Sequence, residues 1–192
     1  ALISAGDEVL NVAGVDIVTA SDTSVNANIG GDLAGFTADI EFNVVDNADA
    51  IAIEVAASGT GAGSLDEANN VAVVSGDVTA SEADAIQDIA KYSGAASDYD
   101  ITDNATALIS AGDDVLNVTG VEIVTVDDGT GDSTVTANNG AILAGFTADV
   151  EFDVEDNFTN LASVMGRADT ASHLEEATGI VVNDTLTGSV VN

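Results

Sequence analysis

Carboxylates are the only reactive side chains this sequence offers in quantity: 34 Asp and Glu stand against two basic residues, Lys91 and Arg167, one histidine, His173, and no cysteine. The densest cluster is DDGTGD, Asp127 to Asp132. Acids at Asp127, Asp128 and Asp132 with glycines between them can turn several oxygens onto one hard cation, and Ca2+, which takes about six to eight oxygens, is the ion such a loop would suit. The stretch lacks the spacing and the closing Glu of an EF-hand. A second set of acids recurs where short β-like runs end: Asp46 with Asn47, Asp103 with Asn104, Asp156 with Asn157, and also Asp22, Asp77 and Asp184. Two chemistries suit that position. The side-chain oxygen can accept the orphan N–H groups of the helix or turn that follows, or acids from successive segments can converge on Ca2+. Read the second way, the expected metal ligands are Asp127, Asp128, Asp132, Asp103, Asn104, Asp46, Asn47, Asp156 and Asn157, with Ca2+ as the cofactor.

Catalysis is hard to assemble from the same parts. His173 has no Cys partner, and the equivalent position of the repeat described below is Ser64, so a repeated His-based site is excluded. No P-loop, dinucleotide fingerprint, HExxH or GxSxG occurs, and carboxylate pairs are too numerous to single one out. An enzyme is not expected. Nucleic acid and anionic membranes are poor partners for a net charge of −32, since both are bound largely through Lys and Arg. Divalent cations are the natural partners. No run of ~20 apolar residues is present to insert in a membrane. The chain starts at Ala1 in mid-motif and is expected to be a slice of a longer protein.

The elements that must position the acids are written twice. ALISAGDEVLNVAGVDIV, Ala1 to Val18, returns as ALISAGDDVLNVTGVEIV, Ala107 to Val124, with fifteen of eighteen positions identical and two of the three changes exchanging one carboxylate for another. LAGFTADIEFNVVDN, Leu33 to Asn47, returns as LAGFTADVEFDVEDN, Leu143 to Asn157, so the offset grows from 106 to 110 across an acidic, Gly- and Thr-rich segment expected to be a surface loop. The expected units are 1–106 and an incomplete 107–192, or one continuous array. Inside them, β-like runs start at Val15, Ile40, Val71, Tyr99, Val121, Val150 and Ile180, with helix-like stretches between several of them. Ser81 is the expected N-cap of SEADAIQDIAKYSG, with Gly94 as its stop, and Leu108, Ile109, Val115 and Leu116 share one face of a helix ending at Gly120. Phe36 and Phe146, in the repeated GFTAD, are expected to plug the core beside Phe42 and Phe152.

These features predict a β-rich α/β repeat fold, a solenoid-like stack of strand plus helix or loop rungs of ~27 residues each. The alternative is two tandem α/β or β-sandwich domains. With 46% hydrophobic residues the chain is too apolar for a disordered acidic tail.

The segment VTASEADAIQDIAKYSGAASDYDITDNATALISAGDDVLNVTGVEIVTV resembles the repeat tracts of very large secreted surface proteins of cyanobacteria and other aquatic bacteria. Those tracts alternate an Ala-rich helix with a strand ending in Ser/Thr-Asp, here Tyr99 to Asp103 between the segments at Ala80 to Gly94 and Asn104 to Gly120. The resemblance implies an extracellular or cell-surface location, calcium dependence, and a structural role as adhesin stalk, S-layer, matrix or filament subunit that self-associates into an array or fibre. NDTLTGS, Asn183 to Ser189, resembles the edge of calcium-binding β-roll repeats, although the full nonapeptide is absent. The expected function is a structural extracellular repeat module rigidified by Ca2+. The alternative is a carbohydrate- or ice-binding solenoid module, for which the strands offer only Thr19, Thr102 and Thr125, irregularly placed. The acid excess would also suit a halophilic host.

Overall fold

The structure is a computed structural model that describes residues 2–13, 17–20, 24–58, 63–166 and 173–184. Asp22, most of the SDTS loop, Arg167, the NDTLTGS motif beyond Asp184 and the side chain of His173 lie outside the described residues. In chain order the elements are α1 (Leu2–Ala5), α2 (Asp7–Leu10), β1 (Val18–Thr19), α3 (Ala27–Ala34), β2 (Ile40–Glu41), β3 (Asn43–Asp46), α4 (Ala48–Ser58), β4 (Asn70–Val73), β5 (Asp77–Val78), α5 (Ala80–Gln87) and β6 (Tyr99–Asp103). They continue as α6 (Ala105–Ala111), α7 (Asp113–Leu116), β7 (Val121–Val126), β8 (Thr134–Val135), α8 (Ala137–Leu143), β9 (Val150–Glu151), β10 (Asp153–Asp156), α9 (Phe158–Met165) and β11 (Gly179–Val182).

The expected solenoid-like stack with one strand in each rung is not the observed architecture: the described residues form a mixed α/β fold of nine short α-helices and several small parallel sheets. The reason lies at two phenylalanines. The run Ile40 to Asn47, which reads as one strand, is two, because Phe42 turns into the core between β2 and β3, and the two halves then pair with different partners, β1 and β4. Phe152 divides β9 from β10 in the same way. The β-sandwich alternative fails for another reason. The pairs β1–β2, β3–β4, β5–β6, β7–β9, β8–β10 and β10–β11 are all parallel, whereas a sandwich is built from antiparallel sheets. Parallel neighbours need a crossover, and helices between the strands supply it.

Helix ends also move from their expected places. The helix expected from Ser81 starts two residues earlier, because Thr79 accepts the Glu82 N–H while the Glu82 carboxylate accepts the Thr79 N–H, a complete capping box. It stops at Gln87, and Gly94 opens a separate 3-10 turn where its Cα lies against the Thr119 carbonyl. The helix expected over Leu108 to Leu116 is broken into α6 and α7 at Gly112, whose φ of 64° is open to glycine and strained for other residues. Phe36 and Phe146 are half-buried at the surface corner and do not plug the core; Phe42 and Phe152 do.

The chain divides into two compact units, residues 1–101 with 118–122, and residues 102–117 with 123–192. In the first, Val18 pairs with Ile40, Asn43–Asp46 with Asn70–Val73, and Val78 with Ile101. Its core is a small-residue and aliphatic layer around Phe42, Val44, Ile51, Leu65, Val71 and Ile86, closed by Tyr99, whose hydroxyl accepts a 2.8 Å bond from Gln87 Nε2. Burial of that phenol pushes its pKa up. In the second unit, Val124 pairs with Val150, and β10 lies between β8 and β11. Leu108, Leu116, Leu143, Phe152, Val154, Leu161 and Leu174 fill its core.

Each unit has a helix pressed onto a strand through glycine. A Cβ on Gly30 would meet Val44 Cγ2 at 2.7 Å, and one on Gly140 would meet Val154 Cγ2 at 2.9 Å and Phe152 Cε2 at 3.1 Å. Gly30→Ala and Gly140→Ala are therefore each expected to destabilise by about 1–3 kcal/mol, overcoming the helix-propensity gain of roughly 1 kcal/mol. Gly31→Ala, where the new methyl meets only the movable Glu54 side chain, is the control in the same denaturant titration and is expected to be neutral or better.

Candidate functional site

The strand-end acids are delivered to helix N-termini by strand register. Val25 bridges Val44 in parallel, so two residues further on Asp46 stands beside Ala27, the first residue of α3, and its Oδ2 accepts the Ala27 N–H at 3.0 Å. Val135 pairs with Val154, and Asp156 Oδ2 accepts the Ala137 N–H at the start of α8 at 3.1 Å. Asp156 pairs with Val182, and Asp184 Oδ2 accepts the Phe158 N–H at the start of α9 at 3.0 Å. Where the register partner is Ser75, its backbone carbonyl takes the Ala48 N–H at 2.7 Å.

The asparagines do the second half of the work. Asn47, Asn104 and Asn157 cap their own helices, each Oδ1 accepting the N–H three residues on at 2.9, 3.1 and 2.9 Å. The preceding Asp holds each of them, its Oδ1 accepting both the backbone N–H and the Nδ2 of the Asn, at 2.9 and 3.2 Å for Asp46, 2.7 and 2.9 Å for Asp103, and 2.8 and 3.1 Å for Asp156. The expected capping of the following helix thus falls to Asn, while Asp46 and Asp156 reach the helix that follows the neighbouring strand. Asp156 also accepts from Asn160 Nδ2 at 2.7 Å, which, with the Asn157 and Ala137 N–H groups, holds its carboxyl below the usual carboxylate range.

The DDGTGD loop is closed by its own acids. Asp127 Oδ1 accepts the Gly129 and Gly131 N–H groups at 2.7 and 3.0 Å, Asp128 Oδ1 accepts the Thr130 hydroxyl and N–H at 2.5 and 2.9 Å, and Asp132 Oδ1 accepts the Thr134 N–H at 2.8 Å. The Thr130 hydroxyl is the chief reason the Asp128 carboxyl lies low. The Oδ1 of each acid is thus turned to a backbone or hydroxyl donor of the loop or of the start of β8. Among the described residues no group of three or more acidic or histidine side chains is placed to hold a metal ion.

One functional acid escaped the sequence reading. Asp113 receives the Thr147 N–H at 2.8 Å and the Ala148 N–H at 3.1 Å, pinning the GFTAD corner to α7, and these bonds, led by that from Thr147, lower its pKa. The signal was present, since both partners lie in duplicated motifs. At that corner sits a cleft of about 350 Å³ lined by Phe146, Asp149 and Glu176, and the first unit has its equivalent, about 450 Å³, lined by Phe36, Asp39 and Glu67. Acids alone supply the charge of both. No family model, curated protein or solved structure matches the chain.

Asp156→Ala strips α8 of a cap and leaves Asn157 and Asn160 without their acceptor; a loss of about 2–3 kcal/mol is expected, against a clearly smaller loss for Asp128→Ala in the exposed loop. Equal losses in calcium and in chelator would mark both as caps. A pH titration of melting should have two limbs. Asp113 and Asp156 have depressed folded pKa values, so their contribution is present above the unfolded carboxylate range and lost as pH falls through the folded values. Glu122 runs the opposite way: Asp98 repels it and raises its pKa, so protonation relieves strain and its contribution is lost as pH rises through the elevated value. Tm is expected to rise as pH falls through the elevated Glu122 value and then to fall as pH drops through the depressed Asp113 and Asp156 values, with Glu122→Gln flattening the first limb.

Proposed function

We propose that this chain is a structural module of an extracellular repeat protein, of the kind that builds a surface layer, adhesin stalk, matrix or filament, and that it self-associates. The observation that carries the reading is the duplicated cap: Asp46 on Ala27 and Asp156 on Ala137, the same oxygen at the same register position in both units. A carboxylate engaged by a helix N-terminus is occupied in holding backbone together. Repetition of that device multiplies a scaffold.

Calcium enters this reading as a counter-ion. A chain of net charge −32 repels itself and its neighbours, and Ca2+ distributed over the exposed acids or between neighbouring chains lowers that repulsion without a built coordination sphere. Binding to the folded state in preference to the unfolded one then raises stability by linkage. Melting is measured in ~1 mM Ca2+, in chelator, and in molar NaCl. A rise in Tm of several degrees with Ca2+ at constant ionic strength is expected. An identical Tm with and without Ca2+, with stability restored only by molar NaCl, would overturn the calcium part and favour a salt-adapted protein.

A further inference from the structure

At the two GFTAD corners the structure leaves carboxylates unused. Other acids hold backbone: Asp46, Asp113, Asp127, Asp132 and Asp156 each accept N–H groups. Asp39 and Glu67 in the first unit, and Asp149 and Glu176 in the second, are exposed, and among the described residues no donor meets their side chains. Phe36 and Phe146 lie beside them, half-buried and outside the core. In each unit the ring and the two acids line one cleft, about 450 Å³ in the first and about 350 Å³ in the second. Its floor is apolar and buried, Leu33 with Ile40 in one and Leu143 with Val150 in the other.

The corner is kept where its surroundings drift. Exposed Asp32, Asp49 and Ile53 of the first copy are Ile142, Thr159 and Ser163 in the second. The Phe, Thr and Asp of the corner and the Glu that ends the following 3-10 turn are the same in both copies. Exposed side chains with no partner can change at little cost to stability, so packing does not account for their identity. Each cleft is built from its own unit alone and is open in both. The walls select a ligand by what they lack. In the second unit the Thr147 hydroxyl and the Thr147 and Ala148 N–H groups are taken by Asp113, and no basic side chain lines either cleft. A neutral sugar brings as many acceptors as donors and would strand the acceptors. An ammonium is a compact, strongly hydrated point charge, whereas a guanidinium has five in-plane donors and no acceptor, is weakly hydrated and stacks on aromatic faces.

We infer that each corner cleft binds an arginine side chain of a basic partner protein. The guanidinium stacks on Phe36 and bonds to Asp39 and Glu67, or on Phe146 with Asp149 and Glu176, while its methylene stem lies along the apolar floor. With two basic residues against 34 acids, the chain is itself a poor source of this ligand, and its net charge of −32 draws basic segments towards it. A structural module then carries two equivalent attachment points, one in each unit.

The probe is the peptide acetyl-Gly-Arg-Gly-amide, titrated into the full chain in ~0.15 M NaCl with chelator, where long-range attraction is largely screened. NMR follows the Phe36 and Phe146 rings and the Thr37, Ala38, Thr147 and Ala148 amides. Saturable shifts at both corners are expected, with two peptides bound to each chain, a several-fold weaker response to the lysine peptide and none to the citrulline peptide. Glu67→Gln and Glu176→Gln change exposed side chains without partners and should leave circular dichroism unchanged. Each is expected to weaken binding at its own corner by about tenfold or more and to leave the other corner as it was. Phe146→Leu should remove the preference for arginine over lysine in the second unit alone. Shifts spread over the exposed acids without saturation, equal binding of the arginine and lysine peptides, or corner binding unchanged in the Gln variants would each overturn the inference. So would saturable corner binding of methyl glucoside in a chain that ignores the arginine peptide.

Discussion

The structure depends on where carboxylates can find positive partners when the chain has almost no basic side chains. With two Lys and Arg against 34 acids, ion pairing cannot neutralise the surface, and the partial positive charge at helix N-termini becomes the main attraction available. Nine short helices among the described residues supply many such ends. A helix of seven or eight residues is marginal by itself, and an acid fixed across its first N–H removes an unsatisfied donor at the place where fraying begins. Each cap therefore ties a helix to the strand next to it, so local and tertiary structure form together.

Parallel register makes this economical. When two strands run side by side and each is followed by a helix, the residue two positions beyond a paired Val lies beside the neighbouring helix start, and Asp placed there reaches it, as at Asp46, Asp156 and Asp184. After Asp46 and Asp156 the next residue, Asn, is then at its own N-cap. The Asp-Asn pair is thus one device with two directions, and its adjacent bonds fix both side chains. The aliphatic layer beneath is thin enough that glycine is required where α3 and α8 meet the strands. The same demand for close approach turns Phe42 and Phe152 inward and splits each long β-run in two.

Much of this was legible beforehand. The duplicated blocks, the strand-end Asp and Asn, the surface loop that absorbs insertions and the apolar runs at Val71, Tyr99 and Val150 can be read from residue type and period. What could not be read is which donor each carboxylate meets. Asp46 and Asp127 look alike in sequence, both beside polar residues and both suited to Ca2+; one crosses to another strand's helix and the other folds back on Gly129 and Gly131. The single-strand reading of Ile40 to Asn47 failed because alternation does not say that two halves of a run pair with different neighbours.

By itself the sequence determined the charge, the duplication, the absence of thiol chemistry and the residues able to cap or to turn, because these are fixed by side-chain chemistry and local spacing. The tertiary structure alone decided that the fold is mixed α/β with parallel pairs and that Asp113 holds the GFTAD corner. Those outcomes depend on which segments lie beside one another, which local spacing does not fix.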